Sequence, residues 1–416
     1  MGKSGPFLRF LLARRIRKGK EDPARLPERI GAAGLPRPPG PLLWLHAASV
    51  GEAQSALILL DALMARDPAL HVLVTTGTVT SAALMQRRLP PCAFHQYAPL
   101  DHPAWIAAFL DHWRPDRVLW MESELWPNML GAVRARGIPA ALVNACLSPR
   151  SLRRWRRLPR AIGAILSTFT IILAQTDDDA QSFRTLGAQN VVVTDNLKYA
   201  AAPLPLDDKA LAALLTAVGA RPVWVYASTH EGEEDMACRL HKALAAHLPD
   251  LLTIIVPRHP NRSESIAATC AKHGLPAALR STGALPSKGD ALYIADTLGE
   301  LGLFYRIAPV ACIGRSFSND GGGGHNPIEA AQLGCAVIHG PHVQNEESLY
   351  SKMNEAGAAL RLKDEKDFEG QLRRLLTDTR ACDMLRERGA AFVLTKAQIL
   401  PRVLAALTPL QKAEAA

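Results

Sequence analysis

At 416 residues, 48% hydrophobic and 21% charged, the chain has apolar material for a large core and length enough for two domains. Lys and Arg outnumber Asp and Glu by 48 to 39, a net charge of +9, which favours anionic partners such as phosphorylated substrates, lipid headgroups or nucleic acid without choosing among them. Seven scattered cysteines (Cys92, Cys146, Cys238, Cys270, Cys312, Cys335, Cys382), an odd number with no CxxC pair, argue against a disulfide framework and fit a reducing compartment. Each reads as a small buried apolar residue.

The chain opens MGKSGPFLRFLLARRIRKGK. Arg9 interrupts its apolar stretch, and no run approaches the ~18 residues of a spanning helix. Phe7, Leu8, Phe10, Leu11 and Leu12 beside Arg14, Arg15, Arg17, Lys18 and Lys20 read either as a short interfacial helix on anionic lipid or as a frayed basic tail.

From residue 42 short apolar runs alternate with amphipathic stretches: LLWLHAA, HVLVTT, RVLWMES, IPAALVNA, TIILAQ and NVVVTD each lead into a polar turn or a helical segment. That alternation is the βαβ pattern of a parallel sheet. It pauses at the Pro-containing residues 200–208 and resumes with VWVYAST, LLTIIVPR, ALYIAD, PVACIG and AVIHGP. The expected fold is α/β, with two Rossmann-like doubly wound parallel-sheet domains facing a central cleft. The expected division is a basic membrane-proximal segment at 1–30, an N-terminal domain at 31–202, a C-terminal domain at 203–390, and a helix at 391–416 that packs back on the N-terminal domain.

Ligands of doubly wound sheets bind outside the carboxyl ends of the strands. Glu52, Thr75 to Thr78, Glu122, Asn144, Lys198, His230, Arg258, Asp296 and the Gly321 to Asn326 loop all fall at or just past an apolar run, so polar groups are expected on one rim.

LHAASVGEAQSALILL places a strand, a Gly51 turn and then Glu52 in the first turn of a helix, whose dipole favours the ionised carboxylate. Such a group can take a proton from an attacking hydroxyl, or can merely complement the helix end. In WMESELWPNML, period-two spacing would point Glu122 and Glu124 the same way if the strand continues. The Gly-rich GRSFSNDGGGGHNPIEAAQLG runs into a helix near Asn326 and Pro327, a setting for phosphate, although it is neither a Walker loop nor GxGxxG. VPRHP sets Arg258 and His259 just past a strand, where a guanidinium can pair with phosphate or carboxylate. ASTHEGEED lacks the H-E-x-x-H spacing of a metal site and reads as a loop capping the next helix. PRSLRRWRRLPR holds six arginines among Leu152, Trp155 and Leu158, either a solvated helix face or a contact for phosphorylated lipid.

Eight motifs in order, SVGEAQSA, ESELWPN, NACLSPRS, NLKYA, STHEGEE, VPRHP, DTLGELGLFY and GGHNPIEAAQLG, resemble the 3-deoxy-D-manno-octulosonic acid (Kdo) transferases, from about Arg15 to the last helices. The resemblance implies a GT-B glycosyltransferase that moves Kdo from CMP-Kdo onto the lipid A precursor at the cytoplasmic face of the Gram-negative inner membrane. No metal or further cofactor is expected, since the chain's own cations and a helix dipole can balance the leaving group, and no nucleic-acid partner is expected; because the N-terminus departs from the family in lacking its long apolar segment, attachment to the anionic membrane surface is expected to be peripheral or monotopic. By motif it makes Glu52 the general base, with Glu122 and Lys198 stabilising the transition state. It places CMP contacts on Pro257 and Arg258, on Leu298, Gly299 and Glu300, and on Asn326, Pro327, Ile328 and Glu329. The chain departs from the family pattern at TTGTVTS (residues 75–81), at Ser123 of ESE, at Asp195, and at Gly314-Arg315-Ser316, none of which removes a proposed catalytic group. Another GT-B nucleotide-sugar enzyme, a UDP-sugar transferase or an epimerase, would share the sheets and the phosphate loop.

Overall fold

The computed structural model describes residues 5–318 and 323–412. Gly321, at the start of the expected phosphate loop, lies outside them. Two compact units divide the chain, one running to Ala201 and taking up Ala397 onward, the other spanning Ala202–Lys396.

The first unit is built on seven parallel strands, β1 (Leu42–His46), β2 (His71–Thr76), β3 (Ala93–Tyr97), β4 (Arg117–Met121), β5 (Ala140–Ala145), β6 (Phe169–Ala174) and β7 (Val191–Val193), in the order β3-β2-β1-β4-β5-β6-β7. Its strands are near-continuous apolar runs because helices cover both faces, and all five residues of β1 are buried. The second unit repeats the plan with β8 (Val223–Thr229), β9 (Leu252–Pro257), β10 (Ala277–Leu279), β11 (Leu292–Ile294), β12 (Val310–Ile313), β13 (Ala336–His339) and β14 (Leu360–Arg361), in the order β10-β11-β9-β8-β12-β13-β14. Every strand pair is parallel, so all carboxyl ends of a sheet share one edge. These sheets are the α/β fold expected from the alternating runs.

Both sheets carry the same polar device inside an apolar core. In the first, Trp44 Nε1 donates to Thr75 Oγ1 at 2.8 Å, and the same oxygen pairs with His46 Nδ1 at 2.8 Å. In the second, Trp224 Nε1 donates to Thr253 Oγ1 at 2.8 Å, with His241 Nδ1 at 3.0 Å. One threonine thus satisfies two ring nitrogens where none could reach water. Burial lowers His46 to about 3 and His241 to about 4, so both imidazoles are neutral. Thr75 was expected on the functional rim; it is fully buried under Trp44 and belongs to the core.

Around these triads pack Phe109, Trp113 and Trp120 in the first unit, and Tyr226 and Phe368 in the second. Truncating one such aromatic costs about 3–5 kcal/mol. The last helix, Ile399–Lys412, belongs to the first unit, where Leu407 and Leu410 face Leu43, Leu63 and Leu119 across a cavity of about 350 Å³ at the amino ends of β1 and β4.

Candidate functional site

In the first unit the loop after β1 carries the central carboxylate. Ser49 caps helix Val50–Arg66, its Oγ accepting from Glu52 N at 3.3 Å and donating to Glu52 Oε1 at 2.9 Å, while Ala48 N donates to Glu52 Oε2 at 2.8 Å. Gly77 presses on this loop from β2, its N–H donating to Ala48 O at 3.0 Å, and a Cβ there would meet that oxygen at 3.0 Å. The carboxylate is therefore aimed by capping geometry. The helix dipole alone would keep it ionised; instead burial raises its pKa to about 7, against the lowering effect of Ala48 and Ser49, with Glu122 and Glu124 adding to the rise.

Glu122 stands where β4 stops. Its φ of 56° takes it out of the strand, so Glu122 and Glu124 do not share a face by strand alternation. Glu124 is exposed and accepts from Trp126 Nε1 at 2.9 Å. Asn144 in β5, at φ 57°, donates from Nδ2 to Glu122 Oε1 at 3.3 Å and accepts Leu197 N on Oδ1 at 2.9 Å. Leu197 opens the short helical turn that bears Lys198, whose ammonium lies 3.8 Å from where a Cβ on Gly51 would sit. Asn144 thereby ties the Glu122 and Lys198 segments together, and Lys198 reaches the helix turn of Glu52. With Asp195 at φ 71°, three non-glycine residues on this edge hold left-handed backbone, each at a cost of about 1–3 kcal/mol.

Beside Ala48 and Ser49 opens a cavity of about 460 Å³. One wall is leucine, from Leu8, Leu11 and Leu12 of helix Gly5–Arg17; another is polar, from Thr78, Asp101 and Glu124. Arg15 and Arg29 complete it, both held by Glu21 at 2.6 and 3.2 Å. Apolar on one wall and polar on another, with two arginines and two carboxylates in its lining, it suits an amphipathic molecule better than a free sugar.

In the second unit Pro257 ends β9, Arg258 lies exposed just beyond, and Arg258 N donates to Thr229 O at 3.0 Å. His230 and His325 stack with Nε2 atoms 3.1 Å apart. Burial first, then the charges of His230, Arg258, Arg315 and His259, lowers His325 to about 4. Leu298 is 81% exposed and Gly299 has φ 86°, so this turn stands out in solvent in a conformation that favours glycine. The Glu300 carboxylate is engaged by Arg280 at 2.6 Å, which holds it below the usual range. Asn326 Oδ1 accepts Ile328 N at 3.0 Å, Pro327 precedes a helix of five residues, Ile328–Gln332, and burial raises the Glu329 carboxyl. Pro257 at the end of β9, and Arg258, the Leu298 to Glu300 turn and the Asn326 to Glu329 segment past the ends of strands, all follow carboxyl ends of strands in this one sheet. No group of three or more His, Cys, Asp or Glu side chains arranged to hold a metal occurs among the described residues.

Reading the sequence missed Glu233. Buried at the start of helix Glu233–Ala245, it accepts backbone N–H from His230 at 2.9 Å, Arg315 at 2.7 Å and Phe317 at 3.2 Å, clamping the loop after β12 to the loop after β8. It also missed Ser49 as a partner of Glu52, although Ser-x-x-Glu before an apolar run is a capping signature.

Residues 24–201 match the model of the family described as 3-deoxy-D-manno-octulosonic-acid transferase (kdotransferase). A 3-deoxy-D-manno-octulosonic acid transferase of Bordetella pertussis is 36% identical over 415 residues, 97% of this chain and 96% of that one. One of Rickettsia bellii (strain RML369-C) is 34% identical over 404 residues, 97% of this chain and 94% of that one. The chain belongs to the 3-deoxy-D-manno-octulosonic acid transferase family. As a Kdo transferase it is a glycosyltransferase, as the ordered motifs implied. Among solved structures, the UDP-GlcNAc 2-epimerase from Neisseria meningitidis bound to UDP-GlcNAc aligns over 89% of this chain and 100% of its own with a TM-score of 0.61. At 13% identity that likeness speaks for the GT-B fold alone.

Proposed function

We propose that this Kdo transferase moves Kdo from CMP-Kdo to the lipid A precursor, lipid IVA, by a single inverting displacement with Glu52 as general base. The observation that carries the base assignment is the buried Glu52 carboxyl, held near pKa 7 beside Glu122 and Glu124 and next to the leucine-lined cavity. A general base works best with a pKa near the operating pH. The acceptor hydroxyl gives its proton to a Glu52 oxygen as it attacks the anomeric carbon, and the bond from that carbon to the CMP phosphate oxygen breaks. Each Glu52 oxygen accepts one hydrogen bond from its own loop and keeps a lone pair for that proton. Glu122 stabilises the positive charge that develops on the sugar ring, and Lys198 neutralises the Kdo carboxylate or the departing phosphate.

The second unit holds the nucleotide: Arg258 pairs with phosphate, Pro257 and the Leu298 to Glu300 turn flank the cytidine, and Asn326 to Glu329 bind through backbone and carboxylate. The acceptor's acyl chains lie against Leu8, Leu11 and Leu12 in the cavity. The same helix leaves Phe10 59% exposed beside Arg14 and Arg17, which supports peripheral attachment to an anionic membrane, the cytoplasmic face of the inner membrane. Among the described residues one stretch, Thr379–Leu410, is long and apolar enough to span a bilayer by length and composition, with 28% of its apolar window buried. Incubation with CMP-Kdo and lipid IVA, with the products weighed by mass spectrometry, tests the reading: Kdo-bearing lipid and free CMP are expected. Turnover with a UDP-sugar and none with CMP-Kdo would overturn it.

A further inference from the structure

Six arginines, Arg150, Arg153, Arg154, Arg156, Arg157 and Arg160, crowd the segment leaving β5. All are exposed, and among the described residues none of the six guanidiniums has a hydrogen-bond or ion-pair partner. The segment is nonetheless well built. Ser148 caps helix Pro149–Trp155 by accepting Ser151 N at 3.1 Å, and Asp179 Oδ1 holds Leu147 N at 2.9 Å. Leu152 and Trp155 pack against the core of the first sheet, so the apolar side chains are anchored inward while the guanidiniums face solvent, with Leu158 51% exposed among them. On the adjoining helix, Asp179 is already engaged by Leu147 and Thr176, which leaves exposed Asp177 and Asp178 against six cations. Like charge at this density repels itself until an anionic surface meets it.

Position narrows the partner. β5 pairs with β4, and the segment leaves its carboxyl end, the edge that carries Glu122 and the loops lining the leucine-walled cavity. The basic helix Gly5–Arg17 walls that same cavity. Both cationic segments therefore belong to one edge of one sheet. Nucleic acid fits poorly, because single strands are gripped by stacking on exposed aromatics and Trp155 packs inward. Six guanidiniums also exceed what the phosphates of a single lipid could pair.

We propose that residues 150–160 form a second membrane contact, docking on the anionic phosphates of bilayer phospholipid headgroups, so that the first unit is held to the membrane at two places. This rests on the peripheral-membrane reading above, and vesicle binding is read without turnover, so the two readings fail separately. The test is a variant of the full chain with Arg153, Arg154, Arg156 and Arg157 all changed to Gln, alongside one with all four changed to Lys. Partition onto phosphatidylethanolamine vesicles with and without phosphatidylglycerol is measured, together with transfer to acceptor in vesicles and to deacylated acceptor in solution. The Gln variant is expected to lose about tenfold or more of its partition onto anionic vesicles and none onto neutral ones, with the Lys variant retaining it. Transfer to embedded acceptor falls accordingly while transfer to the deacylated acceptor is unchanged. Unaltered partition would reduce the arginines to a solvated face. An equal loss with the deacylated acceptor, or a loss of RNA binding in place of vesicle binding, would also overturn the proposal, as would equal loss in the Lys variant.

Discussion

The side-chain amide of Asn144 donates to the carboxylate of Glu122 across 3.3 Å, from a left-handed residue in β5 to another just past the end of the adjacent strand β4. With its other atom Asn144 holds Leu197 N, so one side chain sets the positions of the segments bearing Glu122 and Lys198. Asn144→Ala is expected to leave Leu197 N unsatisfied in a buried setting, costing about 1–3 kcal/mol, and to add strain of roughly 1–2 kcal/mol because alanine tolerates left-handed backbone poorly. Transfer should fall at least tenfold while CMP affinity, which the proposed function assigns to the other unit, stays within a few fold. Calorimetric CMP binding beside steady-state kinetics checks this; a variant that lost both equally would have lost its fold instead.

The pH dependence follows from Glu52. As a base it must be ionised, so kcat/KM for acceptor should rise with pH through about 7, on an acidic limb that Glu52 causes. Stability runs the other way. The carboxyl has a pKa of 4.5 unperturbed and about 7 when folded, so its protonated form is the one the fold prefers: that contribution is complete below 4.5 and is lost as pH rises through 7. Glu52→Gln keeps one oxygen to accept from Ala48 N, can donate from its amide nitrogen to Ser49 Oγ once that hydroxyl turns, and has no proton to lose. Its melting temperature relative to the native chain should therefore climb between pH 5 and pH 8, by the equivalent of about 2–3 kcal/mol at the upper end. Melting curves at both pH values decide it, and a difference independent of pH would mean Glu52 is not shifted.

Glu233→Ala frees three backbone N–H groups, those of His230, Arg315 and Phe317. Because these belong to the loops next to the expected nucleotide residues, KM for CMP-Kdo is expected to rise tenfold or more, with a smaller change in kcat. Titration with CMP checks the same effect without turnover.

Thr75→Val leaves Trp44 Nε1 and His46 Nδ1 buried without their shared oxygen. A loss of about 2–4 kcal/mol in denaturant stability is expected, with activity per folded molecule preserved. Loss of activity at full stability would return Thr75 to the rim.

Eleven of the strands stand out in the sequence as apolar runs, most because strands buried on both faces need no alternation, and β7, an edge with Val192 exposed, because it is three valines. The other three, β3, β10 and β14, are sheet edges: β3 is broken by His95 and Gln96, and the other two are only three and two residues long. The rim was readable because chemistry-bearing residues follow strand ends in order. Local spacing could not tell Thr75, turned into the core by Trp44 and His46, from Thr78, which lines the cavity. Nor could it foresee that Glu122 leaves the strand at a positive φ and meets Asn144 of the neighbouring strand, a contact between residues 22 apart in the chain. Glu52 looked ionised from its place at a helix start; only burial, a tertiary property, reveals a carboxyl near pKa 7. Glu233 was unreadable because its three partners lie in two loops more than 80 residues apart in the chain.

The most direct test of Glu52 as the base is Glu52→Gln assayed with CMP-Kdo and lipid IVA, following the mass of the lipid product, with CMP binding measured on the same preparation. The expected result is transfer reduced by on the order of 10²–10⁴ with CMP binding within a few fold of native and the fold intact. Transfer at the native rate in that variant would contradict the mechanism proposed for this site.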